Sequence, residues 1–261
     1  MDNLGKLIKE LISGQPKFKH ISIPEDSEGR QRLFRILMNC RPPVPATKEF
    51  LIAQDKVLQG QRDLKGVVST DMIPSSSHSR LKLWQGDITR LAAEAIVNAA
   101  NSRMLGCFVP LHGCIDNAIH SAAGIQLRLE CNELMKKQGY PEPTGSAKIT
   151  RGYNLPAKWV IHTVGPVITE SRVSDSEKNQ LADCYRSCLR LADEYSLQSI
   201  AFCCISTGEY SFPNKLAAEI AVNTVIEYFD SVNSTAIETV IFNVFKDLDN
   251  SIYSKILKCA K

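Results

Sequence analysis

Asn98-Ala99-Ala100-Asn101-Ser102, followed by Gly106-Cys107-Phe108-Val109-Pro110-Leu111-His112-Gly113-Cys114-Ile115-Asp116-Asn117, begins at the end of a short apolar run and ends where a long helical pattern starts. An apolar run this short, bounded by polar residues, reads as a buried strand, and the change to 3–4 spacing after it reads as a helix. A strand, a polar loop and a helix in that order predict an α/β fold.

The same alternation extends on both sides. Strands are predicted near 81–84, 95–98, 147–151, 159–164, 199–205 and 239–244, and helices near 115–138, 177–195, 215–229 and 248–259. This pattern implies a sheet covered by helices on both faces, and such folds bind ligands outside the carboxyl ends of their strands. Residues 1–70 differ. Leu4, Leu7, Ile8, Leu11 and Ile12 share one helical face, Leu33, Phe34, Ile36 and Leu37 follow Ser27-Glu28, and Phe50, Leu51, Ala53, Val57 and Leu58 mark a third helix. Pro42-Pro43-Val44-Pro45 separates the last two, because proline is excluded from helix interiors. A polar stretch, 69–79, then connects an N-terminal helical extension (1–70) to the main domain (80–261). The extension is expected to pack on that domain as a lid or brace.

Composition narrows the class. The 261 residues carry a net charge of +3 with 44% hydrophobic residues, and Lys and Arg are not clustered. That pattern argues against nucleic acid as the main partner. No run approaches the ~20 apolar residues that a membrane span needs. The N-terminus lacks a signal-peptide core, so a cytoplasmic, reducing location is expected. Nine scattered cysteines then read as free thiols or metal ligands. Cys184, Cys188, Cys203 and Cys204 are expected to be buried thiols acting as small hydrophobes.

Chemistry is densest in the loop quoted first. Two thiols and an imidazole at Cys107, His112 and Cys114 offer the N/S donors that select zinc. Spacing leaves two readings open. Three protein ligands leave a position for water or substrate; a fourth ligand from His20, His78, His120 or Cys131 makes the site structural. Asp116 is either an acid at a helix N-terminus or a carboxylate aimed back at the loop. After the fifth strand, Ser206-Thr207-Gly208-Glu209-Tyr210 precedes a helix, and its successive amides suit an anion such as a diphosphate.

These loops together resemble the macrodomain family, which binds ADP-ribose. The resemblance covers about 80–261 and rests on five ordered motifs. They are Gln85-Gly86-Asp87-Ile88-Thr89, Ile96-Val97-Asn98-Ala99-Ala100-Asn101-Ser102, Ile115-Asp116-Asn117-Ala118-Ile119-His120, His162-Thr163-Val164-Gly165-Pro166, and Ile205 through Pro213. It implies a three-layer fold with a mixed central sheet. It also implies that Asp87, with the backbone of Ile88, takes the adenine and that Asn101 reaches the distal ribose. Ser206, Thr207, Gly208, Glu209 and Tyr210 would bind the diphosphate, and Phe245 would pack near the adenine.

Where common macrodomains have a glycine run, this chain has Gly106 through Cys114. That departure is similar to a microbial, sirtuin-associated subclass that contains zinc and carries an N-terminal helical extension. The subclass implies Zn2+ on Cys107, His112 and Cys114, with Asn101 and Asp116 as catalytic residues. The implied activity is hydrolytic release of mono-ADP-ribose from a modified protein, in this subclass a lipoyl-carrier protein. A non-catalytic ADP-ribose reader with a structural zinc is the alternative, since its binding loops would look the same.

Overall fold

The computed structural model describes residues 2–259. Six strands form one sheet: β1 (Leu81–Gln85), β2 (Ala95–Ala99), β3 (Ala147–Arg151), β4 (Trp159–Thr163), β5 (Ser199–Phe202) and β6 (Thr239–Val244). Their spatial order is β1-β6-β5-β2-β4-β3. Every neighbouring pair is parallel except β3 with β4 at one edge. The mixed sheet expected for this fold is therefore present. Central parallel strands are covered on both faces, which is why β2 and β6 read as nearly unbroken apolar runs rather than alternating ones.

Helices α1 (Asn3–Ser13), α2 (Ser27–Cys40) and α3 (Lys48–Lys65) precede the sheet. Asp2, Asp26 and Thr47 cap them, each accepting from a backbone N–H three residues on. Leu7, Ile8, Leu11, Leu33, Phe34, Leu37 and Phe50 form a small core of their own, which Ile125 of the main domain joins. The connector is less free than its composition implies. Val68, just before it, pairs with Leu91, and Ser75 within it pairs with Lys82, tying it to the sheet side.

The long helix predicted over 115–138 is two helices, α4 (Ile115–Ala123) and α5 (Ile125–Gln138). They meet at Gly124, whose φ of +99° belongs to the region that favours glycine. A Cβ there would lie 2.7 Å from Gln54 Nε2, and Gln54 Oε1 accepts the Ile125 N–H instead of a helical carbonyl. A residue of the extension thus caps the start of α5, a contact 71 positions away that periodicity cannot report. The fifth strand also stops earlier than expected, at Phe202, because the chain turns out of the sheet to build a loop.

The remaining helices are α6 (Asp175–Glu194), α7 (Asn214–Ser231) and α8 (Asp247–Cys259). Ser174 and Glu177 form a capping box at the start of α6. Cys184, Cys188 and Cys203 are buried and free, and Cys204 is half-buried and free, in line with their expected role as small hydrophobes. No described helix is long and apolar enough to cross a membrane. The parallel strands β1, β2, β5 and β6 point their carboxyl ends the same way, so the loops after them share one edge.

Candidate ADP-ribose and metal site

At that edge lies a cleft of about 820 Å³. It is lined by Asp87 and Ile88 after β1, Asn101 through Asp116 in part after β2, Ser206 through Tyr210 after β5, and Phe245 after β6. Apart from the candidates for a fourth metal ligand, every residue that the sequence suggests for ligand, metal or chemistry therefore lines one cavity. Asn243, Lys246 and Asp249, which the sequence motifs do not include, line it too. They flank the exit of β6, from its last residues to the first turn of α8, and that position is the one signal that points to them.

At one end of the cleft, Asp87 Oδ1 accepts from the backbone N–H (3.0 Å) and hydroxyl of Thr89 (2.6 Å). Its other oxygen lies 3.5 Å from Lys65 Nζ at the end of α3. Phe245 is 75% exposed at the same rim, so its ring has a free face for a planar group.

The loop after β5 turns on Ser206, a non-glycine residue at φ +63°. Strain of this kind persists only where the surroundings hold it. Here the Phe212 N–H donates to the Ser206 carbonyl, and Gly165 lies so close that a Cβ on it would overlap Ser206 Oγ. Gly208 has no neighbour within 4 Å of a Cβ position, leaving the loop's backbone open to a ligand.

The carboxylate of Asp116 is almost fully buried, at 4% exposure, in the first turn of α4. Asn98 Nδ2 donates to Oδ1 at 2.8 Å and Asn101 Nδ2 to Oδ2 at 3.3 Å. His120, one turn on, brings Nε2 to 3.5 Å from Oδ1. Burial pushes the Asp116 carboxyl up to about 6, against the two amides and nearby Arg128, which pull it down. Asn98, to which the sequence assigns no role of its own, is the closest partner of Asp116. Its place near the end of β2 gives no sign of that, since it reads as part of an apolar strand.

Cys107, His112 and Cys114 bring their Sγ and ring-nitrogen atoms within 4.8 Å of one another. Cys107 Sγ is 3.6 Å from His112 Nδ1. The Asn117 N–H points at Cys114 Sγ at 3.4 Å, a contact that supports a sulfur carrying negative charge. In the protein alone, burial pushes the Cys114 thiol up to about 12, and neighbouring Cys107 adds to the shift. A cation between the two sulfurs relieves both effects, so the donor set fits a thiophilic ion. Among the described residues no further His, Cys, Asp or Glu joins this trio. The candidates for a fourth ligand lie elsewhere; His120 and Cys131 belong to a separate buried group with His162. Thr150 Oγ1 (2.9 Å) and Asn98 Nδ2 (3.1 Å) occupy the two ring nitrogens of His162.

Known proteins resemble this chain in sequence and in fold. A family model described as "Macro domain" matches residues 97–221. A Treponema medium protein called protein-ADP-ribose hydrolase is 46% identical over 254 residues, covering 96% of each chain. A Staphylococcus aureus protein of the same name is 50% identical over 235 residues, 89% of this chain and 86% of that one. The chain belongs to the macro domain family.

Solved macrodomains agree. The Trypanosoma brucei macrodomain in complex with ADP-ribose superposes with a TM-score of 0.65 at 30% identity, over 82% of this chain and 92% of that one. A mutant Oceanobacillus iheyensis macrodomain with ADPR gives 0.62 at 39% identity, over 69% and 92%. In this macrodomain the Cys-His-Cys loop forms part of the cleft wall.

Proposed function

We propose that this macrodomain is a zinc-dependent protein-ADP-ribose hydrolase, which removes mono-ADP-ribose from modified protein side chains. The observation that carries the reading is the meeting of three groups in one cleft: the Asn101–Asp116 pair, the Cys107-His112-Cys114 trio and the open loop over 206–210. The names of its hydrolase relatives support the activity.

In this reading Asp87 accepts from the adenine amino group beside the Ile88 backbone, and Phe245 covers the base. The amides of Ser206 through Tyr210 bind the diphosphate, where converging N–H dipoles favour negative charge. That places the distal ribose against Asn101 and Asp116. Asn101 donates a hydrogen bond to a ribose oxygen, and Asp116 accepts one from a ribose hydroxyl or from the entering water. Water replaces the protein side-chain atom at the ribose, and its proton leaves with the released side chain. Residues 80–261 then form the ADP-ribose-binding unit, with 1–70 as its helical extension.

Cys107, His112 and Cys114 would hold the zinc; when bound, it supplies Lewis-acid polarisation of an oxygen beside the ribose. A set of three protein ligands leaves room for such an oxygen, which favours a catalytic over a structural ion and an enzyme over a reader. A lipoyl-carrier protein as substrate rests on the subclass resemblance alone. The decisive experiment follows release of free ADP-ribose from a mono-ADP-ribosylated protein, with and without chelator. Release that the chelator abolishes and zinc restores is expected. Binding without release identifies a reader, and release untouched by verified metal removal refutes the zinc dependence.

A further inference from the structure

The loop carrying the three metal-ligand candidates is irregular. It includes Gly106 at φ +78° and Leu111 at φ +55°, and the latter is a left-handed conformation that a branched aliphatic residue rarely adopts. Such a backbone persists only where outside contacts hold it. At Phe108 and Leu111 those contacts include residues of the N-terminal extension.

Asn39, in the last turn of α2 and 1% exposed, accepts the Leu111 N–H on Oδ1 at 3.0 Å and donates from Nδ2 to Ser121 Oγ of α4. Cys40 Sγ lies 3.6 Å from the Phe108 carbonyl oxygen. Arg35 donates to Asn117 Oδ1 at 2.9 Å, and Asn117 Nδ2 in turn donates to the Val109 carbonyl. Arg128 of α5 completes the joint. Its Nη1 donates to the carbonyls of Met38, Asn39 and Arg41 at the end of α2. Its Nε donates to the Leu105 carbonyl, and its guanidinium sits 4.2 Å from the Phe108 ring. Phe108 and Leu111 are therefore tied directly to residues 68 and 72 positions earlier in the chain.

We infer that the end of α2 is a positioning element for the metal loop, with Asn39 setting the backbone at Leu111 and Arg35 acting through Asn117. The extension is then part of the site's construction, although none of these α2 residues lines the cleft. The adenine and diphosphate contacts proposed above come from the loops after β1, β5 and β6, and none of these α2 hydrogen bonds reaches those loops. The metal loop needs α2 because a leucine does not by itself favour the left-handed conformation that Leu111 holds. As far as it concerns the ion, this inference rests on the zinc reading above.

The test uses the full chain and two readouts: transfer of zinc to a chromophoric chelator, and amide exchange over 105–114 in chelator-treated protein. Asn39→Ala is expected to release zinc at least ten-fold faster and to speed exchange in that segment, with the amides of β2 and β4 unchanged. Arg35→Ala, at a less buried position, should act in the same direction and serves if the alanine at 39 prevents folding. Leu257→Ala in α8 is the control. It should lower the melting temperature while leaving zinc release and loop exchange at wild-type values. Wild-type release and exchange in both extension variants would overturn the inference, as would equal acceleration in the control. If metal analysis finds no zinc in the wild-type protein, the zinc reading fails, and loop exchange alone then decides whether α2 positions the loop.

Discussion

His112 Nε2 lies 3.5 Å from Glu209 Oε1, so the loop after β2 and the loop after β5 meet through their side chains. A histidine that donates its Nε2–H to a carboxylate keeps a lone pair on Nδ1, the nitrogen that faces Cys107. Carboxylate partners of this kind orient ligating histidines, and their loss typically lowers metal affinity by about 10–100-fold. Glu209→Ala is accordingly expected to weaken zinc binding by at least about ten-fold, whereas Glu209→Gln, which keeps an acceptor, should retain most of it. Competition against a chelator of known affinity measures both. Equal affinities in the wild type and the alanine variant would remove Glu209 from this role.

The ligands themselves give a stronger test. Cys107→Ser and His112→Ala should each lower bound zinc to background and abolish turnover. ADP-ribose affinity should fall far less, since Asp87 and the backbone amides over 206–210 are not ligands of the ion. Full activity in a variant shown to be free of metal would refute a catalytic metal.

Asp87→Ala removes the acceptor assigned to the adenine and also frees Thr89, which now donates twice to that carboxylate. A lost hydrogen bond to a charged group is worth about 1.5–3 kcal/mol, so calorimetry should show ADP-ribose binding weakened by at least about ten-fold. An unchanged dissociation constant contradicts the adenine assignment.

Gly165→Ala would place a methyl group against Ser206 Oγ and 2.8 Å from Ile205 Cγ2. The Ser206 turn has to shift, and the amides offered to the diphosphate shift with it. Weaker binding of ADP-ribose is expected together with a lower melting temperature; overpacking of this kind typically costs about 1–3 kcal/mol. If affinity and stability both match the wild type, Gly165 does not set the geometry of that loop.

His162 is fully buried, and desolvation lowers its pKa to about 3; His120 is lowered well below its usual value by the same cause, with His162 adding to it. In the unfolded chain each titrates near its ordinary value of about 6.5. Below that pH the unfolded state binds more protons, so stability is present above about 6.5 and is lost as pH falls toward 3. The loss per histidine approaches about 1.4 kcal/mol per pH unit in that window. Denaturant unfolding at pH 7.5, 6 and 5 measures the loss. His162→Gln should flatten the slope, and an unaltered slope would show that other groups carry it.

Much of the site is legible in the sequence because its residues are close together along the chain. Cys107, His112, Cys114 and Asp116 lie within ten positions, and Ser206 through Tyr210 are contiguous, so strand exits on one edge bring them together. Asn98 is not legible in the same way, since an asparagine near the end of an apolar strand shows its partner only when α4 is laid across it. The break at Gly124 escapes for a similar reason: helical periodicity continues through it, and the stop comes from Gln54 of another helix.

Strand–helix alternation, the carboxyl-edge loops and the chemical types offered there all follow from the amino-acid order, because apolar period and turn residues are local signals. How those types are used follows only from the folded chain. Burial of Asp116 between Asn98 and Asn101, Glu209 beside His112, and the hold of α2 on the loop at Leu111 all join residues distant in the chain. Such contacts depend on which helix face lands on which loop, and that is settled by packing of the whole core rather than by the pattern of any one segment.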